Sequence, residues 1–386
     1  MTENSLLHFN EDKIKQKKKQ EVVRKTTSLP PIVKATDNPY DAVTSPLDIL
    51  DYLPPDNSKF ALYADPYGRM MYYEPKIGNS QGRYWLQETL ESHSITQEEM
   101  KLLQFLSTNR IATRNQIQRV LFDSTVSVDK VKRFLQKCRK RGIICSFSWI
   151  SPLKDGRKKP LVYGLTRVGV EAVYHLYREE LEREFTFQPI IFPEGKAPDM
   201  TNFYLDLAAN ELYSELKRLD RVIEWERKKR TYRFPNGRFY KPFVSFEVIK
   251  DEGEFHKFWL EVVRVYPGWE SAVAGRFRLI QEAFEQLAPA ERPSRVVLIV
   301  DSVSRVECLC DAANDIMPDV PIRFTTDELL LEGINQNTFL RRKDDGSLVR
   351  SPIPFLSESH TGMNASEYFA SLSESFQDEV EDLFED

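Results

Sequence analysis

The segment from Ser127 to Arg141 has two chemically opposite faces when it is placed on a helix, and this pattern constrains the fold most. Apolar residues recur at helical spacing along one face: Val128, Val131, Leu135 and Cys138. The opposite face is polar and mostly cationic, with Asp129, Lys130, Arg133, Gln136, Lys137 and Lys140. Gly142 follows as a helix stop. Such a helix fits the major groove of DNA, where Arg and Lys reach guanine and Gln reaches adenine.

Two shorter helices are predicted before this one. The first has Ser94 or Thr96 as its N-cap and ends at Asn109-Arg110, with an apolar face between them. The second begins at Thr113. Its first-turn residues are candidate DNA contacts: Arg114, Asn115 and Gln116.

A basic hairpin is predicted after the cationic helix. Residues 143–150 and 161–165 alternate enough to form two strands, and Asp155-Gly156 is a turn signal between them. Four cations surround this turn and are candidate phosphate contacts: Lys154, Arg157, Lys158 and Lys159. A further helix begins at Thr166. The order of elements predicts a winged helix-turn-helix over residues 94–180.

Charge is segregated along the chain although the net charge is only −5. From Arg110 to Lys159 there are fourteen Lys or Arg against three acids, whereas after Arg350 nine acids follow with no Lys or Arg. A basic block within an acidic protein favours nucleic-acid binding. An ordinary solvated helix face, or a winged helix that binds protein, is the alternative.

The remaining chain is divided by composition. Residues 1–58 are predicted to be a disordered basic arm rich in proline, residues 59–93 a hairpin and lead-in, and residues 334–386 a linker and acidic tail. Residues 199–333 alternate between helices and strands, which predicts an α/β domain. The fold class is therefore a multidomain α+β protein. With four scattered cysteines, no apolar stretch of roughly 20 residues and no secretory signal, a cytoplasmic location is expected.

Several short stretches of the chain resemble, in order, the motifs of one known protein family. The stretch 161–169, LVYGLTRVG, is similar to that family's Y-x-L-T-x-x-G junction, and residues 201–212 resemble the helix that follows it. Residues 238–243 and 258–264 resemble the next strands, and residues 296–300 and 323–326 resemble the last two. The family is the replication-relaxation family of plasmids and integrative elements, and the resemblance covers residues 94–333. It implies that the second domain has a restriction-endonuclease-like fold.

Active members of that fold hold Mg²⁺ with an acid on one strand and an acid-x-lysine on the next. Here Phe243 stands at the first position, Glu261 matches the second acid, and Val263 replaces the lysine. The resemblance therefore implies an inactive nuclease fold, so no enzyme activity, catalytic residue, metal or cofactor is expected. A displaced site built from Glu211, Glu247 and Glu261 remains the alternative.

Three other patterns have ordinary structural explanations. Cys308-x-Cys310 has no second ligand pair nearby, which favours two buried thiols over a metal site. The aromatic residues of 239–259 favour a sheet core over base stacking. The basic cluster 227–230 either extends the DNA contact or is a solvated strand end.

The functional prediction is a sequence-specific, double-stranded DNA-binding accessory protein of a plasmid or conjugative element. The resemblance implies a role in replication or mobilisation, by origin binding and recruitment of a relaxase, replication protein or coupling protein. The alternatives are a winged-helix transcription regulator and a Mg²⁺-dependent nuclease with a rearranged site. A homodimer reading paired half-sites stays open, and no membrane partner is expected. The acidic tail is either a docking or DNA-mimicking segment or an inert solubilising one.

Overall fold

The structure is a computed structural model of mixed α+β architecture. It describes residues 38–373 except 42, 73–81, 189–191, 194, 344 and 345. The basic run of the N-terminal arm and most of the acidic tail lie outside these residues. Within the described part of the chain, no helix is long and apolar enough to cross a membrane.

The helices that surround the basic block begin where polar caps predict. After α1 (Ile49–Tyr52) and α2 (Gly82–Glu91) come α3 (Gln97–Asn109), α4 (Arg114–Leu121), α5 (Val128–Lys140) and α6 (Arg167–Tyr177). Four side-chain hydroxyls accept hydrogen bonds from the first turns of α3 to α6 and satisfy donors that the helix leaves unpaired: Thr96, Thr113, Ser127 and Thr166. The predicted starts of these four helices are confirmed.

A four-stranded antiparallel sheet packs with these helices. Its strands are β1 (Arg69–Tyr72), β2 (Ile111–Thr113), β3 (Ile144–Ile150) and β4 (Val162–Leu165), in the order β1-β3-β4-β2. The predicted strands 143–150 and 161–165 therefore pair as expected. The hairpin predicted at the start of residues 59–93 is wrong, because residues 59–68 contain no strand and β1 pairs with β3, with Arg69 facing Ile150.

A seven-stranded mixed sheet follows the long helix α7 (Thr201–Arg218). In chain order its strands are β5 (Val222–Arg227), β8 (Val244–Asp251), β9 (Glu254–Val262), β10 (Arg295–Val300), β11 (Ile322–Thr326), β12 (Leu340–Arg342) and β13 (Leu348–Arg350). The spatial order is β13-β12-β11-β10-β9-β8-β5, and only β9, β10 and β11 run parallel to their neighbours in that group. Crossover helices α8 (Trp269–Gln286) and α9 (Val303–Ile316) join these parallel strands, as parallel pairing requires. The short helix α10 (Asp327–Leu331) follows β11, and β6 (Tyr232–Arg233) pairs with β7 (Phe239–Tyr240).

Two segments predicted to lack structure contribute to the fold. Residues 334–386 were expected to be a linker and tail, yet β12 and β13 extend the sheet, and Phe339 and Phe355 are buried. Within the predicted N-terminal arm, Tyr40, Ile49 and Leu53 are buried in the core that contains Trp269. Both predictions failed because scattered apolar residues in these stretches find partners far away in the chain.

One hydrophobic cluster connects the helices around the basic block to the seven-stranded sheet. Phe105 of α3 stacks on Tyr213 of α7 with ring centroids 5.6 Å apart, and Tyr213 contacts Trp225 at 4.9 Å. Trp225 in turn contacts Phe246 of β8 at 5.2 Å. Because these rings form a continuous apolar contact, the two parts of the molecule share one core.

Candidate nucleic-acid interface

The cationic face of α5 is exposed to solvent. Every residue predicted on this face is exposed, namely Asp129, Lys130, Arg133, Gln136, Lys137 and Lys140. Lys132, which the sequence interpretation left out, is also exposed and pairs with Asp129 at 3.0 Å. Its hydrogen bond lowers the pKa of Asp129. The face therefore offers several cations and one amide, with a single carboxylate that already has an internal partner.

The opposite face of α5 fixes the helix on its neighbours. Val131, Leu135 and Cys138 are buried, and Phe134 meets Phe122 edge-on at 5.4 Å. Val128 departs from the predicted apolar stripe because it is 42% exposed in the first turn. Burial of the thiol raises the pKa of Cys138 to about 12, so the thiol stays neutral.

A buried carboxylate anchors the C-terminal end of α5 to the start of α3. Glu99 has no exposed side-chain surface, accepts a hydrogen bond from Arg141, and lies 3.4 Å from the Nζ of Lys137. Its other oxygen completes the capping box of α3 by accepting from the backbone of Thr96 at 3.1 Å. The sequence signal was the Thr-x-x-Glu box, which predicts the cap but not the second partner. Glu99 thus links the orientation of the cationic helix to the helix before it.

The loop between β3 and β4 presents fewer free cations than predicted. Lys154 and Lys158 are exposed, but Lys159 pairs with Asp155 at 2.6 Å and its side chain is only 15% exposed. Arg157 donates to the carbonyl of Phe60 and pairs with Asp155 at 3.3 Å. The predicted turn is present, since Gly156 has φ +74° and Asp155 accepts from the backbone of Arg157.

This loop is folded against the N-terminal segment. Leu153 is buried together with Tyr40, Phe60 and Trp269. Arg157 and Lys159 therefore have internal partners that hold the loop in place, and the phosphate contacts predicted for them stay predictions.

Among the predicted contacts in α4, Gln116 is wrong. Its side chain is buried, accepts from the Thr113 backbone at 2.9 Å, and donates to Glu211 at 2.7 Å. The Thr-x-x-Gln spacing was a readable capping-box signal for this role. Asn115 is exposed and Arg114 half-buried, so both retain access to solvent.

Two buried ion clusters join the basic block to α7. Asp206 lies 2.7 Å from both Arg110 and Arg227, and its side chain has no exposed surface. Arg227 also pairs with Glu184 at 3.0 Å. Burial alone would lower the pKa of Arg227, but Asp206 and Glu184 outweigh it and raise the pKa, so the guanidinium stays charged.

The second cluster centres on Arg119 of α4. It pairs with Glu215 at 2.6 Å and with Glu211, which also accepts from Tyr63 at 3.1 Å. Sequence reasoning missed both clusters because the arginines of the basic block lie more than ninety positions from their partners on α7. Glu211 was an alternative metal ligand in the sequence analysis. Its carboxylate binds three internal partners, Arg119, Tyr63 and Gln116.

The basic cluster 227–230 is largely neutralised by nearby acids. Arg227 belongs to the buried cluster, Lys229 pairs with Glu179 at 3.2 Å, and Arg230 pairs with Glu224 at 2.6 Å and with Glu226. Lys228 is half-buried. These ion pairs favour the interpretation of residues 227–230 as a strand end over their interpretation as an extension of the DNA contact.

The positions that resemble a nuclease centre do lie side by side. Strands β8 and β9 pair with Val244 facing Leu260, which brings Phe243 opposite Glu261, and the Phe243 amide donates to that carboxylate at 3.4 Å. Tyr240 donates to Glu261 at 2.7 Å, and Arg276 of α8 binds both of its oxygens at 2.7 and 2.9 Å. A guanidinium thus occupies the carboxylate face where a metal ion would need access.

The alternative three-acid site does not assemble. Glu247 pairs with Lys257 at 3.3 Å, Glu211 binds Arg119, and Glu261 binds Arg276. In the described portion of the chain, no group of three or more His, Cys, Asp or Glu side chains could hold a metal ion. Cys308 and Cys310 both lie on α9, the first half-buried and the second buried.

Comparison with known proteins gives one match. Residues 103–262 match the model of a family described as replication-relaxation, which agrees with the resemblance seen in the sequence motifs. No curated protein and no solved structure matches the chain.

Proposed function

We propose that this chain, whose residues 103–262 match the replication-relaxation family, is a double-stranded DNA-binding accessory protein of a plasmid or conjugative element. Residues 94–180 act as a winged helix-turn-helix in this proposal, and the second unit has a degenerate restriction-endonuclease-like fold. The protein binds an origin or transfer region in replication or mobilisation. It positions a relaxase, replication protein or coupling protein there.

The observation that carries the proposal is the exposed cationic face of α5. This face can neutralise phosphates through its cations, Lys130, Arg133, Lys137 and Lys140. Arg133 and Gln136 can also reach base edges. Glu99 anchors the C-terminal end of this helix through Arg141, and a helix that is already held in its binding orientation loses less entropy on binding. Affinity should therefore fall steeply with salt.

The experiment selects duplexes from a random-sequence library with the full chain and then measures anisotropy of labelled fragments. Arg133→Ala is expected to cost about 1–3 kcal/mol on the selected site and to relax preference there, as a base contact does. Lys158→Ala should weaken binding to all duplexes alike, and it should reduce the slope of log affinity against log salt concentration by about one. We prefer Lys158 to Arg157 for this test, because Arg157 holds Phe60 and Asp155.

Lys101 provides the matched control because it is an exposed cation on α3, outside the proposed face. Lys101→Ala should leave both affinity and salt slope unchanged. The DNA-binding proposal fails if the full chain binds no duplex at low salt. It also fails if Lys101→Ala and Arg133→Ala have equal effects.

Genome-wide mapping of bound sites separates the accessory role from a transcription regulator. Sites at an origin or nick region support the proposal, whereas sites confined to promoters support regulation of transcription.

We also propose that the second unit does not cut DNA. The bidentate contact of Arg276 with Glu261 supports this, since metal binding would have to displace a guanidinium. Supercoiled plasmid incubated with Mg²⁺ and protein should stay intact. Cutting that Glu261→Gln abolishes would overturn the non-enzyme proposal.

A further inference from the structure

A cleft of about 930 Å³ opens beside the Glu261–Arg276 pair. Its walls come from the end of β9, the start of α8, the first turn of α7 and the N-terminal segment 48–69. Its size lies within the usual range for small-molecule sites, which are roughly 300–1,000 Å³. No residue of this cleft belongs to the predicted DNA-binding face of α5.

The lining is cationic. Five basic and three acidic side chains line the cleft, and one of these acids, Glu261, is bound by Arg276. Lys228 and Lys241 are half-buried, and within the described residues neither ammonium group forms a salt bridge or hydrogen bond. Burial lowers the pKa of Lys228, and the neighbouring Arg227 lowers it further. Asp206 and Glu184 partly oppose this lowering. Two half-buried ammonium groups without a salt-bridge partner suit an anionic ligand.

A deeper group in the same cleft lacks part of its hydrogen bonding. Arg264 is buried and pairs with Asp327 at 2.6 Å, yet within the described residues its Nε has no hydrogen-bond partner. This Nε has no exposed surface, so Arg264 forms part of the cleft wall and the ligand contacts fall to other residues.

Aromatic rings supply the rest of the wall. Tyr52 and Tyr67 meet edge-on with centroids 6.2 Å apart, and Tyr266, 38% exposed, also lines the cleft. The ring of Phe243 lies 5.4 Å from the Nζ of Lys228. Aromatic surface beside unpaired cations matches a ligand that has both a planar base and a phosphate.

We propose that this cleft binds a nucleoside phosphate, with Lys228 and Lys241 holding the phosphate and the tyrosine rings contacting the base. The ligand is either a free nucleotide or the end of a single strand, because both present the same group. The site binds without cleaving, and it is separate from the duplex-binding face of α5.

Isothermal titration of the full chain with dAMP, adenosine, inorganic phosphate and the oligonucleotide (dT)6 tests the proposal. We expect dAMP to bind more tightly than either adenosine or phosphate. Lys241→Gln should weaken dAMP about tenfold, as loss of a charged hydrogen bond does, and Lys228→Gln should do the same. Tyr266→Ala should weaken dAMP but leave phosphate unchanged. Lys101→Gln is the matched control and should change nothing.

The outcomes are separable. A (dT)6 affinity well above that of dAMP, lost in Lys241→Gln, identifies a strand end, whereas equal affinities identify a free nucleotide. If neither dAMP nor (dT)6 binds, or if phosphate binds as tightly as dAMP, the proposal is overturned. If Lys241→Gln lowers the thermal midpoint, Lys228→Gln and Tyr266→Ala decide the question.

The proposal of duplex binding by α5 is tested independently of the cleft, with other variants. Lys241→Gln should keep full duplex affinity, while Arg133→Ala should keep full dAMP affinity.

Discussion

Removal of the Asp206 carboxylate should destabilise the whole molecule. Asp206 has no exposed side-chain surface, and the side chains of its partners Arg110 and Arg227 are 10% and 5% exposed. Asp206→Ala leaves these guanidinium groups without their shared counter-charge, although Glu184 still faces Arg227. Breaking a buried pair by removing one partner costs about 3–5 kcal/mol. The free energy of unfolding should fall by that amount.

Asp129→Ala is the matched control, because it removes the same group from a pair whose side chains are 75% and 54% exposed. Exposed pairs contribute about 0–1 kcal/mol, so the two variants should differ by at least about 2 kcal/mol. Urea unfolding followed by tryptophan fluorescence and by far-ultraviolet circular dichroism measures both. Since the two parts of the molecule share one core, the two signals should give coincident transitions.

The reasoning is refuted if Asp206→Ala and Asp129→Ala lower the free energy of unfolding equally. Asp206→Asn keeps the shape of the side chain and should have an intermediate effect. It therefore provides a measurement even if the alanine variant does not yield folded protein.

Three further predictions follow from local geometry. Burial would raise the pKa of Glu215, but hydrogen bonds from arginines outweigh it and lower the pKa below 4.5. The ionised carboxylate therefore stabilises the fold above the pKa of the unfolded chain, and this stabilisation is lost as the pH falls through the pKa of the folded protein. Glu215→Gln should flatten the acid limb of a curve of stability in urea against pH, below about pH 4.5. Gly169→Ala places a methyl group against the carbonyl of Ile143 and should lower the urea midpoint, because a backbone atom cannot move aside cheaply; a wild-type midpoint would contradict the described packing. Glu99→Gln weakens the anchor of Arg141 and should lower duplex selectivity in competition assays more than it lowers nonspecific affinity; equal losses would count against a positioning role.

The features that were predicted correctly from the sequence are local ones. A cap hydroxyl acts within three residues, so Thr96, Thr113 and Ser127 mark helix starts without knowledge of the tertiary fold. The exposed cations of α5 follow from helical periodicity alone. The prediction that Val128 packs on the apolar face failed because periodicity determines which face a residue occupies but not how far the neighbouring elements extend along that face.

The features that were missed depend on distant partners. β1 pairs with a strand about eighty positions later, so its own sequence favours a local hairpin just as well. Gln116 was assigned to DNA although its buried partner, Glu211, comes from α7. The cleft escaped the sequence analysis because its cations lie on separate elements, Arg69 on β1, Lys228 after β5 and Lys241 after β7.

The guanidinium of Arg276 constrains how this fold can evolve. An acid introduced at Phe243 alone would place a second carboxylate beside Glu261, where Arg276 is already engaged. A lysine at Val263 alone would add a cation at a buried position in the wall of the cleft that Arg276 also lines. Each single exchange would add a charge beside the Glu261–Arg276 pair without a partner of its own, so we expect neither exchange alone to build a metal site at this sheet edge.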